Sequence, residues 1–226
     1  MTSRRIAAAI FATLLLPALA FAQASKQDIN APYVTNPDVL YWTSALENDA
    51  REVYARRDRI VAATGAKPGM AVADVGAGSG LFTRLFAKAV QPGGRVYAVD
   101  ISQEFLDHIV ESSKKQGLDN VVAVLDNGSD SKLPENALDL VFICDTYHHF
   151  EDAAAVLASI RRALKPGGRL VVIDYELIPG VTPQQRIDHV RIDRKTAIAQ
   201  IEAAGFNLVG EKNILRENWF ATFSRP

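Results

Sequence analysis

Three observations predict a doubly wound α/β domain. Five apolar segments of strand length alternate with amphipathic helices, a glycine-rich turn follows the first segment, and two terminal strands have no clear helix between them. The turn is the sharpest signal. Val72-Ala73-Asp74-Val75 runs into Gly76-Ala77-Gly78-Ser79-Gly80, and Val96-Tyr97-Ala98-Val99-Asp100 follows one βα unit later. A strand, a tight turn, a helix and a second strand closing on a carboxylate outline a nucleotide site at the carboxyl edge of a parallel sheet.

The chain has 226 residues, and its beginning reads as a leader. Arg4 and Arg5 precede an apolar run from Ile6 to Ala20. Ala20-Phe21-Ala22 or Ala22-Gln23-Ala24 then supplies a small-x-small cleavage pattern. Residues 1–24 are therefore expected to be a signal peptide and the mature protein to be exported, with the periplasm as its destination. The run is short for a membrane span, so no stable span is expected after cleavage; an uncleaved anchor is the alternative. Loss of Arg4 and Arg5 changes the balance from 25 basic against 26 acidic residues to 23 against 26. No basic stripe stands out, so nucleic acid has no electrostatic support as a partner. Cys144 is the single cysteine, which excludes an internal disulfide and a cysteine zinc site.

Residues 25–64 read as a polar arm followed by a helical segment, Asp38 to Thr64, in which apolar residues recur at three and four. Residues 65–226 read as the domain. Lys67-Pro68-Gly69 turns the chain into the first strand, Met70 to Val75. A helix over Leu81 to Val90 ends at Gln91-Pro92-Gly93-Gly94, and the second strand is Arg95 to Val99. Ser102 caps a helix to about Gln116, with Glu104 in the first turn where the dipole favours an anion. Val121 to Leu125 is all apolar and mostly β-branched, the pattern of a strand buried on both faces. Leu138 to Cys144 is the fourth strand, Glu151 to Leu164 a helix, and Arg169 to Asp174 the fifth strand. Beyond Pro183 the pattern loosens. A helix over Asp193 to Ala204 precedes strands near Phe206 to Glu211 and Asn218 to Ser224, which are expected to pair antiparallel at the sheet edge.

The glycine spacing separates two kinds of nucleotide. A pyrophosphate loop of the form Gly-x-Gly-x-x-Gly needs its third glycine at position 81, where this chain has Leu81. Asp74, two residues before the first glycine, is poorly suited to a pyrophosphate and suits a ligand with an ammonium group and an adenosine. A nicotinamide oxidoreductase is disfavoured on these grounds. Asp100 can accept both hydroxyls of a ribose, and Ser102 already fills the helix-capping role that Asp100 would otherwise serve. Asp126 and Asp130 are both candidates to accept from an adenine amino group. Asp145, Tyr147, His148 and His149 follow the fourth strand on the edge that faces a bound ligand. Tyr147 and His148 are the residues expected at the reacting end, His148 as a base or as an organiser of the loop by hydrogen bonds. Adjacent histidines cannot both point one way, so one is expected at the site and one packed. Adjacent positions are also poor chelating geometry, and no metal is assigned.

Asp-x-Gly-x-Gly-x-Gly resembles the first motif of the class I methyltransferases that use S-adenosylmethionine. Lys67-Pro68-Gly69, Asp74 to Gly80, Asp100, Leu133-Pro134 with Asp139, His148-His149 and Leu164-Lys165-Pro166-Gly167-Gly168 all fall in that family's order. The resemblance covers about half the chain. It implies a Rossmann-like seven-stranded sheet with a reversed C-terminal strand. It also implies S-adenosylmethionine as cofactor, held by Asp74, Gly76, Gly78, Gly80, Asp100, Ile101, Asp126, Asp130 and Asp145, and methyl transfer to a small-molecule acceptor. The flanks are similar to a bacterial subgroup in which a segment like Arg51 to Asp58 precedes the core and His189-Val190-Arg191 follows the fifth strand. Tyr54 and Arg57 are then candidates to close over the cofactor, and His149, His189 and Arg191 to line the acceptor pocket; a helix surface and a solvated loop are the plain alternatives for these flanks. A non-catalytic binder of the cofactor, or the same fold running another reaction of that cofactor family, is the competing function. Asp145 and Asp174 end neighbouring strands as the magnesium-holding acids of catechol-type methyltransferases do, but Tyr175 stands where a further oxygen ligand is wanted.

Overall fold

The computed structural model describes residues 29–226, and the leader expected over residues 1–24 lies outside them. The chain enters through α1 (Ala31–Val34), α2 (Val39–Leu46), α3 (Glu52–Ala55) and α4 (Arg57–Thr64). It then alternates through β1 (Ala71–Val75), α5 (Leu81–Ala89), β2 (Arg95–Asp100), α6 (Gln103–Lys115), β3 (Val121–Leu125) and β4 (Leu138–Cys144). A short 3-10 turn (Tyr147–His149) precedes α7 (Ala153–Ala163) and β5 (Leu164–Tyr175). The chain closes with α8 (Gln184–Val190), α9 (Arg194–Ala203), β6 (Asn207–Glu211) and β7 (Asn218–Ser224). Among the described residues no helix is long and apolar enough to cross a membrane.

The seven strands lie in the order β3-β2-β1-β4-β5-β7-β6. Every pairing from β3 to β5 is parallel, whereas β7 runs antiparallel to both β5 and β6. The terminal strands do pair antiparallel, but β7 inserts between β5 and β6, so only β6 forms the edge. The order reverses between β1 and β4, which opens a crevice at their carboxyl ends.

Side-chain alternation explains the two layers of helix. Val72, Leu140, Phe142, Val171 and Ile173 point to one face, where Phe82 and Phe86 of α5 meet them with Val53 and Ile60. Val75, Val141, Ile143, Leu170 and Val172 point to the other, against Leu157 and Ile160 of α7 and Ile201 of α9. α6 adds Leu106 and Ile109 over Ala98. Asp38, Ser102, Asp152 and Asp193 each cap a helix by accepting from a backbone N–H three residues on.

Three expectations change. The helical segment from Asp38 to Thr64 breaks after Leu46 and again at Arg56, and in the first break Glu47 and Arg51 turn inward to partners on the sheet domain. β3 is not buried on both faces: it pairs only with β2, and Leu125 is 41% exposed. The loose region after Pro183 contains α8, whose seven residues carry too weak an apolar pattern to announce it.

Candidate active site

A cavity of about 570 Å³ opens where the strand order reverses. Its floor is the end of β1 and the glycine turn, its sides are the ends of β2, β3 and β4, and its outer wall is the arm from Asn30 to Leu46. Of the residues expected at the cofactor, Asp74, Gly76, Gly78, Asp100, Ile101, Asp126 and Asp145 line it.

The turn is shaped by its glycines in different ways. Gly76 has φ +72°, and a Cβ there would collide with the side chain of Thr146. Gly78 donates its N–H to Asp100 Oδ2 at 2.8 Å. Gly80 does not line the cavity. It opens α5 with φ +78°, and a Cβ there would stand 2.6 Å from Ile109 of α6, so it sets the packing of the two helices.

Asp100 is held at both oxygens, with Oδ1 accepting from the Ser102 N–H at 3.0 Å. The Ile101 N–H also bears on this carboxylate, which lines the cavity. Burial raises its pKa to about 6 against the opposing bonds from Gly78 and Ser102. Asp74 lies deeper, only 3% exposed, and accepts from Thr83 Oγ1 at 2.6 Å. Burial raises it to about 7, with the Thr83 hydroxyl opposing and Asp100 adding. Two buried carboxyls with raised pKa thus lie in one cleft. Asp126 lines the cavity and accepts from the Gly128 N–H, and burial raises it too. Asp130 does not line the cavity and instead lies 3.6 Å from Arg162 on the surface.

Asp145 sits at φ +51° just beyond β4, a left-handed conformation that aspartate tolerates better than most residues. Its oxygens meet Arg51 Nη2 at 2.5 Å and Asn218 Nδ2 at 2.6 Å. Burial raises its pKa while Arg51 opposes the rise. Arg51 lines the cavity; Tyr54 and Arg57 do not, and the Arg57 guanidinium instead stacks 4.3 Å from the Tyr54 ring. The sequence marked the right segment but the wrong members, because the break after Leu46 aims Arg51 inward. Thr83, Thr146 and Asn218 are further site residues that spacing did not reveal; they come from a helix, a loop and the last strand.

The residues expected at the reacting end lie one layer back. Tyr147 and His148 do not line this cavity. They line a second one of about 880 Å³, which also contains Arg191 and shares His149 to Asp152 with the first. Tyr147 is 2% exposed, and its hydroxyl donates to Gln200 Oε1 at 2.9 Å. Burial drives its phenol well above the ordinary range, so it forms a wall and not a base. His148 Nδ1 lies 2.8 Å from Asp174 Oδ1. His149 is the histidine that reaches the cofactor cavity. Burial, with His148 and His189 beside it, lowers its pKa to about 3 and keeps it neutral. His189, expected to line the acceptor pocket, lines neither of these cavities; on α8 it packs edge-on against both histidines, with ring centroids 5.0 Å from His148 and 5.2 Å from His149. Arg191 ends α8 at φ +59°. His149 lines the cofactor cavity while the His148 side chain is 1% exposed behind it, and their ring centroids lie 4.3 Å apart.

Residues 73–172 match the family model described as "Methyltransferase domain". Among curated proteins, the chain is 35% identical over 162 residues to the protein-L-isoaspartate O-methyltransferase of Aeropyrum pernix, covering 68% of this chain and 56% of that one. It is 33% identical over 116 residues to the ubiquinone/menaquinone biosynthesis C-methyltransferase UbiE of Shewanella halifaxensis, covering 51% and 46%. The chain spans about half the length of these relatives. A crystal structure of a SAM dependent methyltransferase from Aquifex aeolicus superposes with a TM-score of 0.74 at 24% identity, covering 84% of this chain and 99% of that one.

Proposed function

We propose that this protein is an S-adenosylmethionine-dependent methyltransferase acting on a small-molecule acceptor. The observation that carries the reading is Asp100. Its buried carboxylate closes β2, is fixed by the glycine turn, and lines the cavity as an acceptor for ribose hydroxyls. Asp126 stands where an adenine amino group would be met. Asp74 and the turn are the groups suited to the ligand's ammonium group, and Cys144, Asp145 and Thr146 line the same cavity. The family match and the two curated relatives, which act as methyltransferases by name, support the same reading.

Bound S-adenosylmethionine supplies an already activated methyl group. The chain's part is to align the acceptor, keep water out and receive a proton. Alignment of this kind contributes about 7–11 kcal/mol in favourable cases. The acceptor enters through the second cavity, which meets the first at His149. The leader-like sequence of residues 1–24 supports export of the mature protein.

Calorimetric titration with S-adenosylmethionine, and in parallel with NADH, tests the cofactor. Binding of the first and not the second is expected, and the opposite result would overturn the reading. Release of S-adenosylhomocysteine when acceptor mixtures are added is expected of a transferase; binding without any such release would point to a non-catalytic binder.

A further inference from the structure

We propose that His148, His149 and His189 form a three-histidine site for a divalent transition metal, built around His149, which lines both cavities. Three imidazoles suit zinc among such ions, with a fourth position left for water or a substrate heteroatom.

The sequence hides this site because its third member is remote. His148 and His149 are adjacent, and His189 arrives on α8 some forty residues later. One ring nitrogen from each lies within 4.8 Å of the others. Hydrogen bonds assign the ring proton on two of the three histidines. Asp174 is a carboxylate within 3.0 Å of His148 Nδ1 at both oxygens, so Nδ1 carries the proton and Nε2 the lone pair. That Nε2 is buried and has no hydrogen-bond partner among the described residues, on a side chain 1% exposed. A buried acceptor without a donor is costly and asks for an explanation.

His149 repeats the arrangement. Asn30 donates its Nδ2 to the His149 carbonyl, which turns Asn30 Oδ1 toward His149 Nδ1 at 3.0 Å. An amide oxygen accepts only, so His149 Nδ1 also carries the proton and its Nε2 is left with a lone pair. Histidine ligands to metals ordinarily donate the other ring N–H to an oxygen in this way. Zinc–nitrogen bonds of about 2.0–2.1 Å in a tetrahedron place the nitrogens about 3.4 Å apart, so binding draws the cluster inward from its widest separation. His189 is the half-buried member of the three, carried on a short helix. Asp174 supplies compensating negative charge, and Arg191 is the nearby charge that opposes a cation.

A metal here would hold the hydroxyl, thiol or amine of an acceptor beside the methyl donor; this role rests on the methyl-transfer reading, whereas the metal site does not. The test is direct. Metal-free full-length protein is titrated with Zn²⁺ by calorimetry, and with Co²⁺ while visible absorption reports the coordination geometry. One equivalent of Zn²⁺ and the intense visible bands of four-coordinate Co²⁺ are expected. His189→Ala, with its fold checked by circular dichroism, should abolish the bands. Asp174→Asn should weaken Zn²⁺ about 10–100-fold. His108→Ala, which changes the one histidine outside the cluster, should alter neither. Absence of binding, or equal binding by His189→Ala, would overturn the site. S-adenosylmethionine titrated into the same samples keeps the outcomes apart: cofactor binding without zinc removes only the metal, and zinc binding without cofactor removes only the transferase.

Discussion

Replacing Asp100 by alanine probes the cofactor site at its best-defined point. The carboxylate accepts from Gly78 at 2.8 Å and Ser102 at 3.0 Å, and is 6% exposed. With cofactor bound, two ribose hydroxyls add charge-assisted bonds, each contributing about 1.5–3 kcal/mol. Both are lost in Asp100→Ala, giving about 3–6 kcal/mol if the site stays dry. Water entering the space left by the carboxylate can replace part of that, so about 2–4 kcal/mol is the working expectation. This corresponds to a dissociation constant raised about 30- to 1,000-fold. Isothermal calorimetry of the full chain with S-adenosylmethionine and S-adenosylhomocysteine measures it. Both ligands should suffer alike, because both carry the ribose. Asp100→Asn keeps one accepting oxygen and should fall between the parent and alanine. A change under threefold in Asp100→Ala, with the fold intact, would refute the assignment of the ribose to this residue.

Asp74 makes stability fall with rising pH. Its folded pKa of about 7 exceeds the ordinary 3.8, so between these values the folded state keeps a proton that the unfolded chain has lost. The cost accrues across that window up to a ceiling of about 4 kcal/mol and is complete above pH 7. Thermal melts of the cofactor-free protein between pH 5 and 7 should show the slope, and Asp74→Asn should flatten it; an unchanged slope would sink the reasoning. Gly76→Ala should destabilise the fold and impair cofactor binding more than Gly78→Ala. Both positions have positive φ, costing about 1–2 kcal/mol for a side chain, but only the Cβ at Gly76 runs into Thr146, while that at Gly78 meets Leu46 at 3.4 Å. Equal losses in urea melts would count against the clash. Arg51→Met should cost about 2–3 kcal/mol by stranding Asp145, less than a fully buried pair because 23% of the arginine side chain meets solvent. Adding Asp145→Asn should recover part of the loss, and a strictly additive double variant would argue against direct coupling.

Much of the fold was legible because periodicity survives in a single sequence. The bounds of β3, β4 and β7 match those read from apolar runs, since a strand's alternation and its flanking turns are local properties. The exposure of β3 was not legible: an all-apolar run looks the same in the middle of a sheet and at its rim, and only pairing distinguishes them. The place of the glycine turn in the crevice was readable for a related reason, because Asp74, Gly76, Gly78 and Asp100 stand at strand ends whose order the βα repeat dictates. The acceptor side depends on segments far apart in sequence. Arg51 reaches Asp145 across ninety-four positions, and Asn218 reaches it from the last strand. Tyr147 was misplaced because a single 3-10 turn rotates it away from the cofactor and onto Gln200. No local pattern encodes that rotation.

The arm that walls the cofactor cavity differs in its anchoring from everything around it. α1 and α2 bury no residue in either core, and their segment is tied down by Asn30 to His149, by Glu47 to Arg84, and by Tyr33 meeting the His149 ring edge-on. Such ties are lost one at a time, without unfolding the sheet. Amide hydrogens of residues 31–46 should therefore exchange through a local opening far cheaper than global denaturation, and should slow when the cofactor fills the space beneath them. The rate at which ligand comes and goes is then a property of this segment, set independently of how stable the domain is.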